Sequence, residues 1–192
     1  VGTLSSYAKQ DGTDYGRVET CSVFPDTIGA ISFGAFASGA CHFDIQDIKV
    51  GTTGWGASDL FAPVLNDLSE FDGLVNGGGG ISASGGVLSI DDTTDTYGWK
   101  TIPDLVSIYV EFQLRVRTGD GNPDYQDIFE TTTDASGDTN DITGPFNGGG
   151  HWRMDSACSG GIWGSGPTTD VWTTLQFYYS LATVGPAFHI AA

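Results

Sequence analysis

Basic residues are scarce: seven Lys and Arg stand against 24 Asp and Glu in 192 residues, for a formal net charge of −17. A surface this acidic repels phosphate backbones and anionic lipid heads, which excludes nucleic acid and acidic membranes as partners. Glutamate is nearly missing too, with 4 Glu against 20 Asp. Asp suits turns and caps whereas Glu suits helix interiors, so helices have little to be built from. No run of eighteen apolar residues occurs, and no basic-then-apolar leader stands at Val1, so the chain is expected to be soluble with no membrane insertion. Cysteine is limited to Cys21, Cys41 and Cys158, with no metal-ligand spacing. One internal bridge fits that count, and so do three reduced thiols in a protein assembled in a reducing cytoplasm.

What the chain has instead is 29 Gly, many Thr and a repeated two-residue alternation. Over 106–117, VSIYVEFQLRVR places Val106, Ile108, Val110, Phe112, Leu114 and Val116 on one face. Ser107, Tyr109, Glu111, Gln113, Arg115 and Arg117 take the other. Such a strand packs one face on a core and leaves the other wet or lining a groove. In WTTLQFYYSL, Thr173, Leu175, Phe177, Tyr179 and Leu181 alternate with Trp172, Thr174, Gln176, Tyr178 and Ser180, and both faces carry aromatics. Shorter strands are expected at 2–10, 29–36, 86–92, 97–102, 125–133, 150–157 and 186–192, punctuated by TGDGNPD, DASGDTND and NGGGG. SDLFAPVLNDLSEF has helix-compatible spacing through Leu60, Val64, Leu65 and Leu68, but Pro63 interrupts it. Many short strands at near-regular spacing mean an all-β sandwich or barrel, and 192 residues suffice for one such domain.

Residues 41–51, CHFDIQDIKVG, followed by TTGWG, have the form of a closing strand and its tail, and FDGLVNGGGGISASGGVLSI at 71–90 has the form of an opening. TTDVWTTLQFYYSLATVGPAFHIAA has the form of a middle. On these segments the chain resembles the concanavalin A-like, laminin G-like jelly-roll superfamily, with its back half, 1–56, ahead of its front half, 71–192, and a linker at 57–70. Three arrangements follow: a circularly permuted domain, a strand-exchanged assembly, or a window of a longer array. The fold class the resemblance implies is all-β, a two-sheet antiparallel jelly-roll sandwich, and the closed permuted domain is the expectation, since the length is that of one jelly roll.

The superfamily includes glucanases, so the carboxylates matter. A retaining glycosidase needs two carboxyl groups about 5–5.5 Å apart. The laminarinase-type pattern E-x-D-x-x-E does not occur, and Asp124 and Glu130 share a strand face that Asp127 does not. Asp44 and Asp47 face opposite ways unless a bulge intervenes. His42, His151 and His189 are dispersed, and no Ser or Cys lies in a nucleophile motif. In DGNPDYQD, Asp120, Asn122, Asp124 and Asp127 are candidate hard-oxygen ligands for calcium, although an Asp-rich turn with self-capping side chains reads the same way. Asp134, Asp138 and Asp141 in DASGDTND carry the same two readings. For sugar stacking, Trp163 in SGGIWGSGP and Trp55 in TGWGAS are the candidates.

The resemblance and the missing catalytic pattern together imply a non-enzymatic structural or adhesive module of an extracellular or virion surface assembly, with glycan recognition as a further capacity. Its partners would be copies of itself or neighbouring modules. A dedicated carbohydrate-binding lectin domain is the alternative, and a polysaccharide-degrading enzyme a third.

Overall fold

The computed structural model describes residues 3–21, 27–35, 41–76, 80–92, 95–117, 128–132, 142–143, 145–148, 151–154, 161–165 and 168–182, and every regular element among them is a β-strand. In chain order these are β1 (Thr3–Gln10), β2 (Thr13–Cys21), β3 (Ile28–Ala35), β4 (Cys41–Gly51), β5 (Gly73–Asn76), β6 (Ile81–Ser84), β7 (Val87–Asp92) and β8 (Thr96–Leu105). They continue as β9 (Ser107–Val116), β10 (Phe129–Thr132), β11 (Ile142–Thr143), β12 (Pro145–Gly148), β13 (His151–Met154), β14 (Gly161–Ser165) and β15 (Thr173–Ala182). A seven-stranded sheet runs β2-β1-β15-β9-β4-β7-β6, a five-stranded sheet runs β11-β10-β3-β8-β5, and β12, β13 and β14 form a third. Strands β7 to β10 alternate between the two larger sheets, as do β2, β3 and β4, giving the over-and-back course of a jelly roll.

Alternation along β9 puts Ile108, Val110, Phe112 and Leu114 fully inside. They meet the inner face of the five-stranded sheet, where Phe33 of β3 stands edge-on to Phe112 with centroids 5.6 Å apart. Phe129 of β10 stacks on Phe177 of β15 at 6.4 Å, so aromatic pairs weld the two sheets into an all-β sandwich. β3 shows no alternation because all eight of its residues are buried.

Two hairpins rest on residues that tolerate positive φ. Asp11 and Gly12 (φ 47° and 76°) join β1 to β2, and Gly85 and Gly86 (58° and 88°) join β6 to β7. Both are the two-residue turns whose twist matches the flanking strands. Pro103 falls inside β8, where the register against β3 slips between Ile28 and Ala30, so its missing N–H costs no ladder bond.

The stretch 57–70 contains no helix, only bends that carry Phe61 and Leu65 into the core while Val64 is 63% exposed. Leu65 has φ 56° and donates its N–H to Glu70 Oε2 at 2.9 Å, a local closure that a helix would not allow. A backbone bridge between Val50 and Phe61 ties this segment to the end of β4. β4 itself, the closing-type segment of the sequence, lies in the middle of the seven-stranded sheet between β9 and β7.

Cys21 and Cys41 stand at opposite ends of their strands in that sheet, Cys21 on the edge strand β2 and Cys41 on the interior strand β4. Cys21 opposes Leu4 and Cys41 opposes Asp92, on strands four places apart. At about 4.8 Å per strand the lateral separation alone is roughly 19 Å, far beyond a disulfide's reach. Cys158 and the expected strand at 186–192 lie outside the described residues.

Candidate functional site

The same alternation that fills the core turns a second set of side chains outward from the middle of the seven-stranded sheet. From β9 these are Tyr109, Glu111, Gln113 and Arg115, all half-buried. From β15 they are Trp172, just before the strand, then Thr174, Gln176 and Tyr178. Register aligns them in rows: Tyr109 opposes Tyr178 and Gly51, Glu111 opposes Gln176 and Lys49, Gln113 opposes Thr174 and Gln46, and Arg115 opposes Asp44.

One end of this face is aromatic. Tyr109 and Tyr178 have centroids 4.5 Å apart, and Trp55 stands edge-on to Tyr109 at 5.1 Å. Lys9 Nζ lies 5.4 Å from the Trp55 ring centre, a cation–π contact. Trp55 gets there because the loop after β4 folds back tightly: Thr52 donates its N–H (3.0 Å) and hydroxyl (2.7 Å) to the two Asp59 oxygens, and Ala57 N–H donates to the Gly54 carbonyl. Those Thr52 bonds hold the Asp59 carboxyl below the usual range. A side chain at Gly51 would collide with Asp59 and Ala57, so glycine is what lets the loop close. Burial, with the neighbouring Tyr178, pushes the Tyr109 phenol above its ordinary value.

The middle is polar and internally paired. Glu111 accepts from Lys49 Nζ at 2.8 Å and from Gln176 at 2.6 Å, and Gln46 donates to Gln113 at 2.7 Å. Burial raises the Glu111 carboxyl, but the Lys49 and Gln176 bonds and the Lys49 charge outweigh it and hold the group below its ordinary value. Glu111 is therefore a fixed acceptor.

At the far end, Asp44 is buried at 2% exposure and receives Arg115 through Nε (3.1 Å) and Nη2 (2.7 Å), together with the Ser89 hydroxyl at 2.8 Å. Arg117 Nε faces Asp44 at 3.3 Å as an ion pair without hydrogen-bond alignment, while its Nη2 donates to Asp91 at 2.6 Å. His42 Nδ1 also donates to Asp91, at 2.5 Å. Burial raises the Asp91 carboxyl, and the His42 and Arg117 bonds with their charges reverse that and leave it low. The Arg115 guanidinium also lies 4.6 Å from the Trp172 ring centre, so aromatic surface returns at this end.

A bulge displaces one acid. Between Gln46 and Lys49 the register of β4 against β9 slips, and Asp47 takes φ 52°. This is the bulge on which the relation of Asp44 to Asp47 turned. Strict alternation from Asp44 would send Asp47 inward; instead Ile48 fills the core and Asp47 is exposed.

Of the residues singled out in the sequence, Trp55 joins this face. Trp163 belongs to β14, its backbone paired with Trp152 of β13 in the three-stranded sheet, away from this face's strands. Asp120, Asn122, Asp124 and Asp127 lie outside the described residues, as do Asp134, Asp138 and Asp141. Among the described residues no three His, Cys, Asp or Glu side chains gather as a metal site. The partners of Trp55 went unrecognised, although the outward positions of Tyr109, Tyr178 and Trp172 follow from alternation alone. Their union with Trp55 needed the strand pairing. Comparison with known protein families, curated proteins and solved structures finds no match for this chain.

Proposed function

We propose that this chain is a non-catalytic adhesive β-sandwich module that works at an extracellular or virion surface and recognises carbohydrate on the outer face of its seven-stranded sheet. The observation that carries the proposal is the half-buried trio Trp55, Tyr109 and Tyr178 beside a row of paired amides and carboxylates. Aromatic surface next to rigid hydrogen-bonding groups suits a ligand with apolar CH faces and peripheral hydroxyls. Lys49, Arg115 and Arg117 each face a carboxylate, and Lys9 stands over the Trp55 ring, which lowers the charge offered to a polyanion. The resemblance of CHFDIQDIKVG and its neighbours to laminin G-like domains supports the surface setting.

Two features favour binding over hydrolysis. Glu111 stands opposite Lys49 and Asp44 opposite Arg115, four residues further along β9, which at about 3.3 Å per residue is roughly 13 Å. That exceeds the carboxylate separations of both retaining and inverting glycosidases. The closer pair, Asp44 and Asp91, shares Arg117, with Arg115 on Asp44 and His42 on Asp91, and Asp91 is held low rather than raised as an acid would need. A general acid also needs a raised pKa, whereas Glu111 is held low. Affinity electrophoresis through gels containing neutral polysaccharides tests the proposal: wild-type protein should be retarded by at least one, and Trp55→Ala should migrate freely with its circular dichroism unchanged. Retardation indifferent to Trp55, or release of reducing ends, would refute it.

A further inference from the structure

Resting on the carbohydrate assignment above, we infer that the ligand is an uncharged oligosaccharide several units long, lying along β9 and β15 and contacted at its far end by Trp172. Outward residues on β15 step from Tyr178 through Gln176 and Thr174 to Trp172, and Tyr178 and Trp172 are separated by six residues, about 20 Å at strand rise. A monosaccharide cannot reach both aromatic ends. The floor between them is Glu111, Gln113 and Gln176, each half-buried and already fixed by a cross-strand bond. Those bonds do not exhaust the groups: a Gln amide has two donors and an acceptor with two lone pairs, and a carboxylate has further acceptor sites. The floor is thus preorganised yet still able to exchange hydrogen bonds with successive hydroxyls, which lowers the ordering cost of binding. Lys49 is neutralised by Glu111 at 2.8 Å, Lys9 sits over the Trp55 ring, and the chain as a whole carries −17, which disfavours a uronic or sulfated chain.

A calorimetric series of neutral cello-, laminari- and malto-oligosaccharides, from disaccharide to heptasaccharide, tests this. Affinity for the accepted series should climb with length and then level off. Trp172→Ala should leave the disaccharide unaffected but weaken the heptasaccharide about five- to tenfold, flattening the climb. Trp55→Ala should weaken every length. Trp172→Phe, which keeps an aromatic surface, should retain the climb and guards against a folding defect in the alanine variant. Length-independent binding that still needs Trp55 would overturn this inference alone. A Trp172→Ala effect equal at all lengths would do so as well. No binding by any series would overturn the carbohydrate assignment and this inference with it.

Discussion

Asp44 shows how much of this molecule turns on single side chains. Its carboxylate is buried while Arg115 and Arg117 keep side-chain exposures of 35% and 31%, so water shares the solvation of the cations but not of the anion. Asp44→Ala should therefore cost about 1–3 kcal/mol, less than a fully buried pair would, read as a lower urea midpoint. Asp47 presents the opposite case. A non-glycine residue in the left-handed region stores strain, so Asp47→Gly should raise stability by about 1 kcal/mol; an unchanged or lowered midpoint would mean that the bulge is relaxed with aspartate. Glu111 carries the pH dependence. Its folded pKa lies below its ordinary value, so its stabilising effect is complete above that ordinary value and is lost as pH falls through the lower folded value. Urea midpoints followed from neutrality to about pH 3 should fall more steeply for wild type than for Glu111→Gln, and equal slopes would remove Glu111 from the account.

Among the elements, those with a strong period announced themselves. The alternation over 106–117 defines β9 to within one residue and sorts the side chains within it into core and outward face, but Val106, placed on the core face, falls before the strand and is 57% exposed. β15 was legible for the same reason, and β7 and β1 were found as shorter candidates between turn clusters. β2 was missed because Asp14, Gly16 and Arg17 interrupt its apolar pattern and two register shifts disturb its pairing with β1. β14 was missed because the glycines of GIWGS leave no alternation to read, and only pairing with β13 makes it a strand. The bulge in β4 left no local signal, since its cause is the need to seat Ile48 opposite Phe112 in a shared core. The connection 57–70 reads as a linker because Pro63 breaks its helical spacing, yet tertiary burial of Phe61 and Leu65 makes it part of the sandwich. At this scale the loop after β4 is the most exposed to test. Gly51→Ala should push Asp59 and Ala57 aside and loosen Trp55 from Tyr109, seen as higher Trp55 mobility in fluorescence anisotropy of a variant retaining only that tryptophan.

At the scale of the whole molecule, strands from 3–51 and from 73–182 share both large sheets. The candidate face depends on this sharing, since Lys9, Lys49 and Trp55 come from one part of the sequence and Tyr109, Glu111, Gln176 and Tyr178 from the other. If each chain closes on itself, light scattering should give a mass near the 20.1 kDa of one copy, whereas large polymers would mean that β4 completes a neighbouring chain. The acidic composition sets copies of the chain to repel one another. The most direct single measurement is a calorimetric titration of a neutral hexasaccharide, chosen from the polysaccharide that retards the protein, into wild type and Trp55→Ala. Saturable binding at one site per chain, lost in the variant, is the predicted result. Binding of equal strength in both proteins would contradict the assignment of this face.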